Sequence, residues 1–275
     1  MNIFLTGHRG FIGSVVHKQF PDASLLDKKN PTTEELQAML KGKDCIIHLA
    51  GGGGAKFCVQ YPKEALENNI LLTYRLVQAA KKANVKHFIF ASSIAVYGTI
   101  KSPQNPLVET QIPMPDDLYG SLKWSCEELV KEVPYTILRF ANVYGFGTGT
   151  HMHKGGFINN ACLSAKSTKK ITLTSSTLSM DFVHVNDAAH AIQLCVFSEK
   201  SRDNVLNIGS GNAVTLVNCA KIMKESVDAP VEIIIDEQQG YQTRYLDCTA
   251  AKTILGWQPV IDLATGIKEL IAKLP

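Results

Sequence analysis

The sequence has little of what marks membrane, secreted or nucleic-acid-binding proteins. No uninterrupted apolar run approaches the roughly 20 residues of a membrane-spanning helix, and the N-terminus lacks the basic region and cleavage site of a secretory leader. The 28 basic residues exceed the 25 acidic ones by three and form no cluster, so we expect neither nucleic acid nor a membrane as a partner.

Disulfide and metal-binding patterns are also missing. The seven cysteines are scattered and odd in number, and no two have CxxC spacing. This usage indicates reduced thiols in a cytoplasmic protein, without a disulfide framework or a zinc site. His151 and His153 have no acidic residue or cysteine at ligand spacing, so we interpret them as part of a loop and expect no bound metal.

Short apolar runs alternate with amphipathic stretches along the chain. The 275 residues, 45% of them apolar, can bury one large α/β domain or two unequal lobes. Strands are predicted at the start of the chain and at residues 23–27, 44–50, 87–93 and 135–140, with helices after residue 10 and at 31–40, 62–80 and 119–131. This order predicts an α/β fold with a Rossmann-type, doubly wound parallel sheet in residues 1–145 and a returning segment near 181–207. Residues 146–275 are predicted to form a smaller, mixed α/β lobe that binds the substrate.

The first thirteen residues indicate a dinucleotide site. A strand leads into a turn with glycines at positions 7, 10 and 13, and the helical spacing of apolar residues begins at Phe11. Glycines let the backbone turn sharply and approach a ligand, while the N-terminus of the helix offers N–H groups and a favourable dipole to a pyrophosphate. The four glycines at 51–54 are not a phosphate loop, because no Gly-Lys-Ser/Thr follows them.

A second pattern indicates acid–base chemistry. Tyr119 and Lys123 are four residues apart on a predicted helix and therefore share one face. A nearby cation stabilises a phenolate, so we expect Lys123 to lower the pKa of Tyr119 and make it a proton donor and acceptor near neutral pH. Ser93, at the end of a predicted strand, can supply a hydroxyl to the same oxygen.

Together these segments resemble the extended short-chain dehydrogenases/reductases of the nucleotide-sugar epimerase/dehydratase family, among them UDP-glucose 4-epimerases and nucleotide-sugar 4-ketoreductases. The likeness covers essentially the whole chain. Its motifs are Thr6-Gly7-x-x-Gly10-Phe11-Ile12-Gly13, residues 48–51, Asn69 with Thr73, residues 92–98, Tyr119-x-x-x-Lys123 with Glu127, and residues 139–145, 181–187, 207–211 and 255–259.

The resemblance implies a catalytic triad of Ser93, Tyr119 and Lys123. Tyr119 would exchange a proton with a sugar hydroxyl while hydride moves to or from nicotinamide, and Lys123 would also hold the nicotinamide ribose. The implied cofactor contacts are Gly7, Gly10, Phe11, Ile12, Gly13, Leu49, Ala50, Gly51, Asn69, Ala91, Tyr119, Lys123, Phe140 and Val143. Ser93 and Asn142 would contact the substrate. For Asn69, a structural role as a hydrogen-bonding residue of the scaffold is as good an interpretation as cofactor binding. For Arg139, we prefer the structural role.

The adenosine end of the site leaves the choice of cofactor open. Asp27 lies about 20 residues after the first glycine, where an acid can bind the ribose hydroxyls, although an alternative alignment places it beside the adenine. Arg9, Lys28 and Lys29 are candidates for holding a 2′-phosphate instead, and simple solvation of Arg9 fits equally well. Both NADP and NAD remain, and these basic residues favour NADP.

The sequence departs from the family's pattern at two places. Dehydratases of the family carry acidic residues after the catalytic Ser/Thr, and here those positions are Ile94 and Ala95, so dehydration is not expected. Two arginines that usually hold the diphosphate are replaced by Met180 and, approximately, Gln238. Lys154 or Arg244 are candidates to compensate as substrate-binding cations, and Arg244 is the better one.

These features predict an NAD(P)-dependent oxidoreductase that acts at C4 of a nucleotide sugar. We favour a 4-keto-sugar reductase, with a 4-epimerase that retains NAD as the alternative and a non-catalytic NAD(P)-binding regulator as a remote one. By the resemblance, the helix that bears Tyr119 and the long helix before His87 would form the interface of a homodimer.

Overall fold

Thirteen strands and eleven α-helices are formed by the residues that the structure, a computed structural model, describes: 1–51, 53–99, 106–147, 156–238 and 243–275. The strands are β1 (Ile3–Thr6), β2 (Ser24–Leu25), β3 (Cys45–His48), β4 (His87–Ser93), β5 (Tyr135–Phe140), β6 (Asn142–Tyr144), β7 (Lys170–Leu173), β8 (Ser179–Met180), β9 (Phe182–His184), β10 (Asn204–Ile208), β11 (Val214–Thr215), β12 (Glu232–Ile235) and β13 (Thr243–Arg244). The helices are α1 (Phe11–Gln19), α2 (Thr33–Leu40), α3 (Gly54–Gln60), α4 (Pro62–Leu66), α5 (Leu72–Ala83), α6 (Leu118–Val130), α7 (Phe157–Ser167), α8 (Val185–Phe197), α9 (Leu216–Ser226), α10 (Thr249–Leu255) and α11 (Leu263–Lys273).

The central sheet is parallel and has the strand order β10-β5-β4-β3-β1-β2. Strand β2, which follows β1 in the sequence, pairs with one edge of β1, and β3 pairs with its opposite edge. The connections therefore diverge between β1 and β3, and ligands of open α/β sheets bind at such a point, outside the carboxyl ends of the strands. The predicted doubly wound sheet is confirmed.

Consecutive residues of the central strands enter opposite cores, because side chains alternate across a strand. Phe4 and Ile46 belong to the core under α2, α5 and α6, whereas Leu5 and Ile47 belong to the core under α1 and α8; all four are at most 1% exposed. Burial on both faces explains why these strands are continuous apolar runs rather than alternating ones.

A third core lies between helices α7, α9 and α11 and the two-stranded sheet of β7 and β12. Other segments that follow residue 145 pack on the central sheet, in the core under α1 and α8. Strand β10 is the edge of the central sheet, α8 covers one of its faces, and Ala251 of α10 packs there with Trp257.

The structure agrees with the predicted local features at α2 but differs from them at the helix from residue 62 and at β2. The capping chemistry at the start of α2 is present, since Thr32 Oγ1 accepts from the Glu35 amide and Glu35 accepts from the Thr32 amide. The long helix predicted from residue 62 is instead interrupted by a π-helical turn, Glu67–Leu71, between α4 and α5. Strand β2 is shorter than predicted, because Asp27 turns away from the sheet to pair with the glycine-rich turn.

No helix within the described ranges is both long enough and apolar enough to cross a membrane.

Candidate active site

The glycine-rich turn brings three backbone segments into close contact. Gly7 has φ +75° and accepts a hydrogen bond from the Gly10 amide at 2.8 Å, after which α1 begins at Phe11. A Cβ added to Gly13 would lie 2.0 Å from the Gly7 carbonyl oxygen, and one added to Gly7 would lie 2.6 Å from the Ala50 nitrogen. Any side chain at these two positions would separate the helix from the turn, or the turn from the end of β3.

The N-terminus of α1 is suited to a pyrophosphate. The N-cap residue is Gly10, which has no side chain to accept from the first turn, and that turn contains no acidic residue. The first N–H groups of a helix have no partner within it, and the helix dipole favours a negative charge there. This end of α1 therefore fits the pyrophosphate of a dinucleotide.

A pocket of about 430 Å³ opens beside the turn and is lined by Gly7, His8, Arg9, Asp27, Lys28 and Ala50, among others. Asp27 Oδ1 pairs with both Arg9 Nη2, at 2.6 Å, and His8 Nε2, at 3.2 Å. His8 Nδ1 is buried without a partner. The orphaned nitrogen, the exposed carboxylate and the glycine cradle fit the adenosine half of a dinucleotide cofactor.

Two of the basic residues that line this pocket have acidic partners. Arg9 is engaged by Asp27, and Lys28 Nζ lies 2.5 Å from Glu35 Oε1. Arg75 lines the same pocket and donates to the Pro31 carbonyl at 3.4 Å, a cation that sequence reasoning missed. Of the three cations expected to hold a 2′-phosphate, Arg9 and Lys28 are thus paired with carboxylates, while Lys29 also lines the pocket.

The cofactor groove continues along the end of β3 to Gly51. A Cβ on Gly51 would lie 2.7 Å from Asn69 Oδ1 and 3.2 Å from Lys123 Nζ, so three predicted cofactor contacts meet here. Asn69 is 2% exposed and donates to the Ala65 carbonyl at 2.8 Å. It lies in the π-helical turn, a feature that often occurs at functional sites. Asn69 therefore has both a scaffold bond and a place at the groove.

Ser93, Tyr119 and Lys123 come together where β4 ends and α6 begins. Asp117 caps α6 by accepting from the Gly120 amide at 2.7 Å, which places Tyr119 in the first turn. The Ser93 hydroxyl lies close enough to Tyr119 to interact with its phenol and to act against a rise of its pKa. One turn further on, Lys123 Nζ donates to the Ala91 carbonyl at 2.9 Å.

The electrostatics of this trio differ from the expectation. Burial raises the pKa of Tyr119 to about 12, Cys58 and Asp117 add to the rise, and the Ser93 hydrogen bond opposes it. The prediction that Lys123 lowers the pKa of Tyr119 is wrong for the protein alone, because the ammonium is directed to the Ala91 carbonyl. Burial also lowers the pKa of Lys123. No cation among the described residues lowers the pKa of Tyr119, so a phenolate at neutral pH needs a further positive charge.

A buried hydrogen-bond network of Thr6, His48 and Thr73 supports the groove, and sequence reasoning missed it. His48 Nδ1 lies 2.7 Å from Thr6 Oγ1, its Nε2 lies 3.0 Å from Thr73 Oγ1, and Thr6 Oγ1 accepts from the Ala50 amide at 3.2 Å. Burial lowers the pKa of His48 to about 3, and Lys123 acts in the same direction, so the imidazole is neutral. The position of His48 inside a family motif was the only signal for this role.

Two predicted substrate residues, Asn142 and Arg244, donate hydrogen bonds to backbone carbonyls. Asn142 donates through Nδ2 to the Asp181 carbonyl at 3.0 Å, next to Phe140 and Val143. Arg244 Nη1 donates to the Gly98 carbonyl at 3.2 Å. Lys154 lies outside the described residues.

The charge of Arg244 faces the N-terminus of α6. Burial lowers the pKa of Arg244, whereas Asp116 and Asp117 act to raise it. Met180, in place of a usual family arginine, pairs with Arg244 across β8 and β13. Arg244 is therefore the described cation nearest the place where an arginine is missing.

Within the described ranges, no group of three His, Cys, Asp or Glu side chains could hold a metal ion. All seven cysteines are described and carry free thiols. His151 and His153 are outside the described residues.

Comparisons with known proteins match this geometry. A family model described as the NAD dependent epimerase/dehydratase family matches residues 3–209. The chain is 30% identical to a putative UDP-glucose 4-epimerase of Methanocaldococcus jannaschii, over 98% of this chain and 97% of that protein. It is 27% identical to the dTDP-6-deoxy-L-talose 4-dehydrogenase (NAD(P)(+)) of Kitasatospora kifunensis, over 89% and 80%. The solved structure of MoeE5 in complex with UDP-glucuronic acid and NAD superposes with a TM-score of 0.86 at 25% identity, covering 99% of this chain and 98% of that one.

Proposed function

The chain belongs to the NAD-dependent epimerase/dehydratase family, and on that premise we propose that it interconverts the C4 epimers of a nucleotide sugar with NAD as its cofactor. The observation that supports the proposal is the trio at the groove: Ser93 beside Tyr119, with Lys123 one turn away beside Gly51. In the proposed function, this arrangement would bring a proton-transferring phenol to the nicotinamide end of the bound cofactor.

The chain's own residues supply proton transfer and orientation. Tyr119 takes the proton of the C4 hydroxyl as the C4–H bond breaks, which leaves a 4-keto sugar, and it returns the proton when C4 is reduced from the opposite face. Ser93 donates a hydrogen bond to the reacting oxygen, and Lys123 holds the ribose beside Gly51. Bound NAD would supply the acceptor and donor of the C4 hydride, and its oxidised ring would add a positive charge near Tyr119.

Charge pairing at the adenosine end supports NAD over the NADP that the sequence favoured. Arg9 is held by Asp27, and Lys28 by Glu35. A 2′-phosphate would have to displace Asp27 from Arg9, whereas a ribose hydroxyl could donate to the same carboxylate. MoeE5, which resembles this chain over its whole length, was solved with NAD.

The residues after Ser93 argue against dehydration. Ile94 and Ala95 begin a 3-10 turn, and Ile94 is 5% exposed in the core of the sheet. Elimination of water needs an additional acid and base, and neither side chain can serve as one. The chemistry therefore stops at oxidation and reduction of C4.

A 4-keto-sugar reductase, the activity that the sequence favoured, is the second candidate. The likeness to a 4-dehydrogenase of a dTDP-6-deoxy sugar supports it. So does the substitution of Met180 and Gln238 for the usual diphosphate arginines, which allows a different sugar nucleotide. In this reaction Tyr119 would give its proton to C4 oxygen once, and the oxidised cofactor would leave.

A conversion assay separates the two activities. We expect the purified protein to convert UDP-galactose and UDP-glucose into each other, as measured by chromatography. The absorbance of the nicotinamide should show no net change. Stoichiometric consumption of added NADPH by a 4-keto-6-deoxy sugar nucleotide, with no interconversion of epimers, would establish the reductase instead. A protein that binds NAD but performs neither reaction would favour the regulator.

The homodimer also stays a proposal. Leu71, Tyr74 and Leu118, on or beside α5 and α6, are 37–48% exposed although they are large and apolar. A second copy packed on these helices would cover them. Size-exclusion chromatography with light scattering should give twice the monomer mass, and a monomer mass would remove the proposal.

A further inference from the structure

A cluster of buried polar side chains joins helix α6 to the ends of β4 and β5. Its members, which we call the Glu127 cluster, are Ser92, Tyr97, Glu127, Arg139 and Asn207, each at most 4% exposed. None of them belongs to the catalytic trio, and sequence reasoning treated Arg139 as scaffold only.

Glu127 is the centre of this cluster. Its Oε1 accepts from Arg139 Nε at 3.0 Å and from Ser92 Oγ at 2.5 Å, and its Oε2 accepts from Arg139 Nη2 at 2.7 Å. A carboxylate and a guanidinium joined by two parallel hydrogen bonds have a defined relative orientation as well as a strong attraction. The pair therefore determines how far α6 lies from β5 and how it is rotated.

Arg139 is held from its other side too. Its Nη1 donates to Tyr97 Oη at 3.0 Å, and its guanidinium carbon lies 4.8 Å from the centroid of the Tyr97 ring. Tyr97 Oη in turn donates to Asn207 Oδ1 in β10 at 2.8 Å. Arg139 itself lies in β5, Tyr97 ends the 3-10 turn that follows β4, and Asn207 lies in β10, so the sheet and this turn, rather than α6, set the position of the guanidinium.

The location of Glu127 links the cluster to the chemistry. On α6, Glu127 follows Lys123 by one turn and Tyr119 by two, while Ser92 is the chain neighbour of Ser93. A rotation or slide of α6 against β4 would separate Ser93 from Tyr119. A misplacement of about 1 Å in an active site can lower a rate by about 100-fold.

Stability alone is a poor reason for this ion pair. Apolar side chains of similar volume often stabilise a protein as well as a buried ion pair does, or better. We propose that Glu127, held by Arg139, is a positioning residue that orients Tyr119 and Lys123 against Ser93, a role that rests on the proposed function of the trio.

A double substitution separates positioning from stability. Replacing one partner would leave the other charge buried and unpaired, which endangers folding, so both are changed in Glu127→Leu/Arg139→Met. We expect the melting temperature of this variant to stay within a few degrees of the wild type. Its NADH affinity and its KM for the sugar nucleotide should each stay within about threefold. We expect its kcat to fall by about 100-fold. A folded double variant with kcat within threefold of the wild type would overturn the proposal.

A second variant and a control cover the remaining outcomes. Glu127→Asp keeps the charge but shortens the side chain, so it should fold and lose about tenfold in kcat; an unchanged kcat would also refute the positioning role. Asp187→Asn is the matched control, because Asp187 is a carboxylate 2% exposed that accepts from the Ile261 amide at 3.1 Å, away from the trio. It should lower the melting temperature without changing kcat.

A crystal structure of the double variant gives a readout that does not depend on activity. The proposal expects Tyr119 Oη to move about 1 Å or more away from Ser93 Oγ, and an unchanged distance would overturn it. If the wild-type protein neither oxidises nor epimerises C4, the proposed function fails, while this structural comparison still decides whether Glu127 positions the trio.

Discussion

Asp27 should decide which dinucleotide the protein binds, and the substitution Asp27→Asn tests this directly. In the structure, Asp27 Oδ1 is bound by Arg9 at 2.6 Å and by His8 at 3.2 Å, at the mouth of the adenosine pocket. The 2′-phosphate of NADP would approach the carboxylate, whereas the 2′-hydroxyl of NAD can donate to it. The asparagine removes one negative charge with little change in shape.

The expected size of the effect follows from charge and exposure. Two unit charges 4 Å apart interact by about 1 kcal/mol in bulk water and by about 4 kcal/mol at an effective dielectric constant of 20. Asp27 is 54% exposed, so the low end applies, and relief of repulsion together with release of Arg9 should contribute about 1–3 kcal/mol. At about 1.4 kcal/mol per tenfold change, NADPH should bind about 5–140 times more tightly. NADH should bind less tightly, because a hydrogen bond to a charged group is lost.

Fluorescence titration of NADH and NADPH gives both dissociation constants for the wild type and the variant. The change for NADPH should shrink as salt is raised, since exposed charges are screened. Asp22→Asn, an exposed aspartate that does not line the pocket, is the control for net charge. If Asp27→Asn leaves the ratio of the two constants within threefold, or if the wild type prefers NADPH, the argument from the Arg9–Asp27 pair is refuted.

Three further predictions concern the trio, the turn and the buried histidine. Tyr119→Phe should lower kcat by about 100-fold to 10,000-fold while NADH affinity stays within threefold, and an active variant would remove Tyr119 from proton transfer. Gly13→Ala places a methyl group 2.0 Å from the Gly7 carbonyl and should weaken NADH binding by at least tenfold in titrations; Gly156→Ala, with open space around its Cβ position, should not. The pKa of His48 is lowered to about 3, so below pH 6.5 the unfolded chain binds a proton that the folded protein does not, and stability is lost as pH falls. This should cost about 2 kcal/mol at pH 5; urea titrations at pH 7 and pH 5 should show that loss in the wild type, and a His48→Gln variant with the same loss would contradict it.

The fold was predictable where a pattern is local. The runs at β1, β3 and β4 are apolar because both faces of the sheet are covered, and the glycine-rich turn needs small residues because backbone segments meet there. Ser93, Tyr119 and Lys123 could be selected in advance, since the ends of parallel strands and the helix that follows them meet at one edge. The interrupted helix was not predictable, because the π-helical turn Glu67–Leu71 contains no Gly or Pro that would mark a break in the sequence.

The sequence by itself determined the alternation of strands and helices and the glycine-rich turn, since both depend on neighbours within a few residues, and its motifs selected Ser93, Tyr119 and Lys123 as the candidate trio. Only the tertiary structure decided which charged side chains are free to bind a ligand and which are already paired. Arg9 and Lys28 resemble phosphate ligands in the sequence, yet Asp27 and Glu35 occupy them. Likewise, the direction of the pKa shift of Tyr119 depends on burial and on where Lys123 points. Electrostatic interactions depend on distance and solvent access, and these arise only when distant segments pack together.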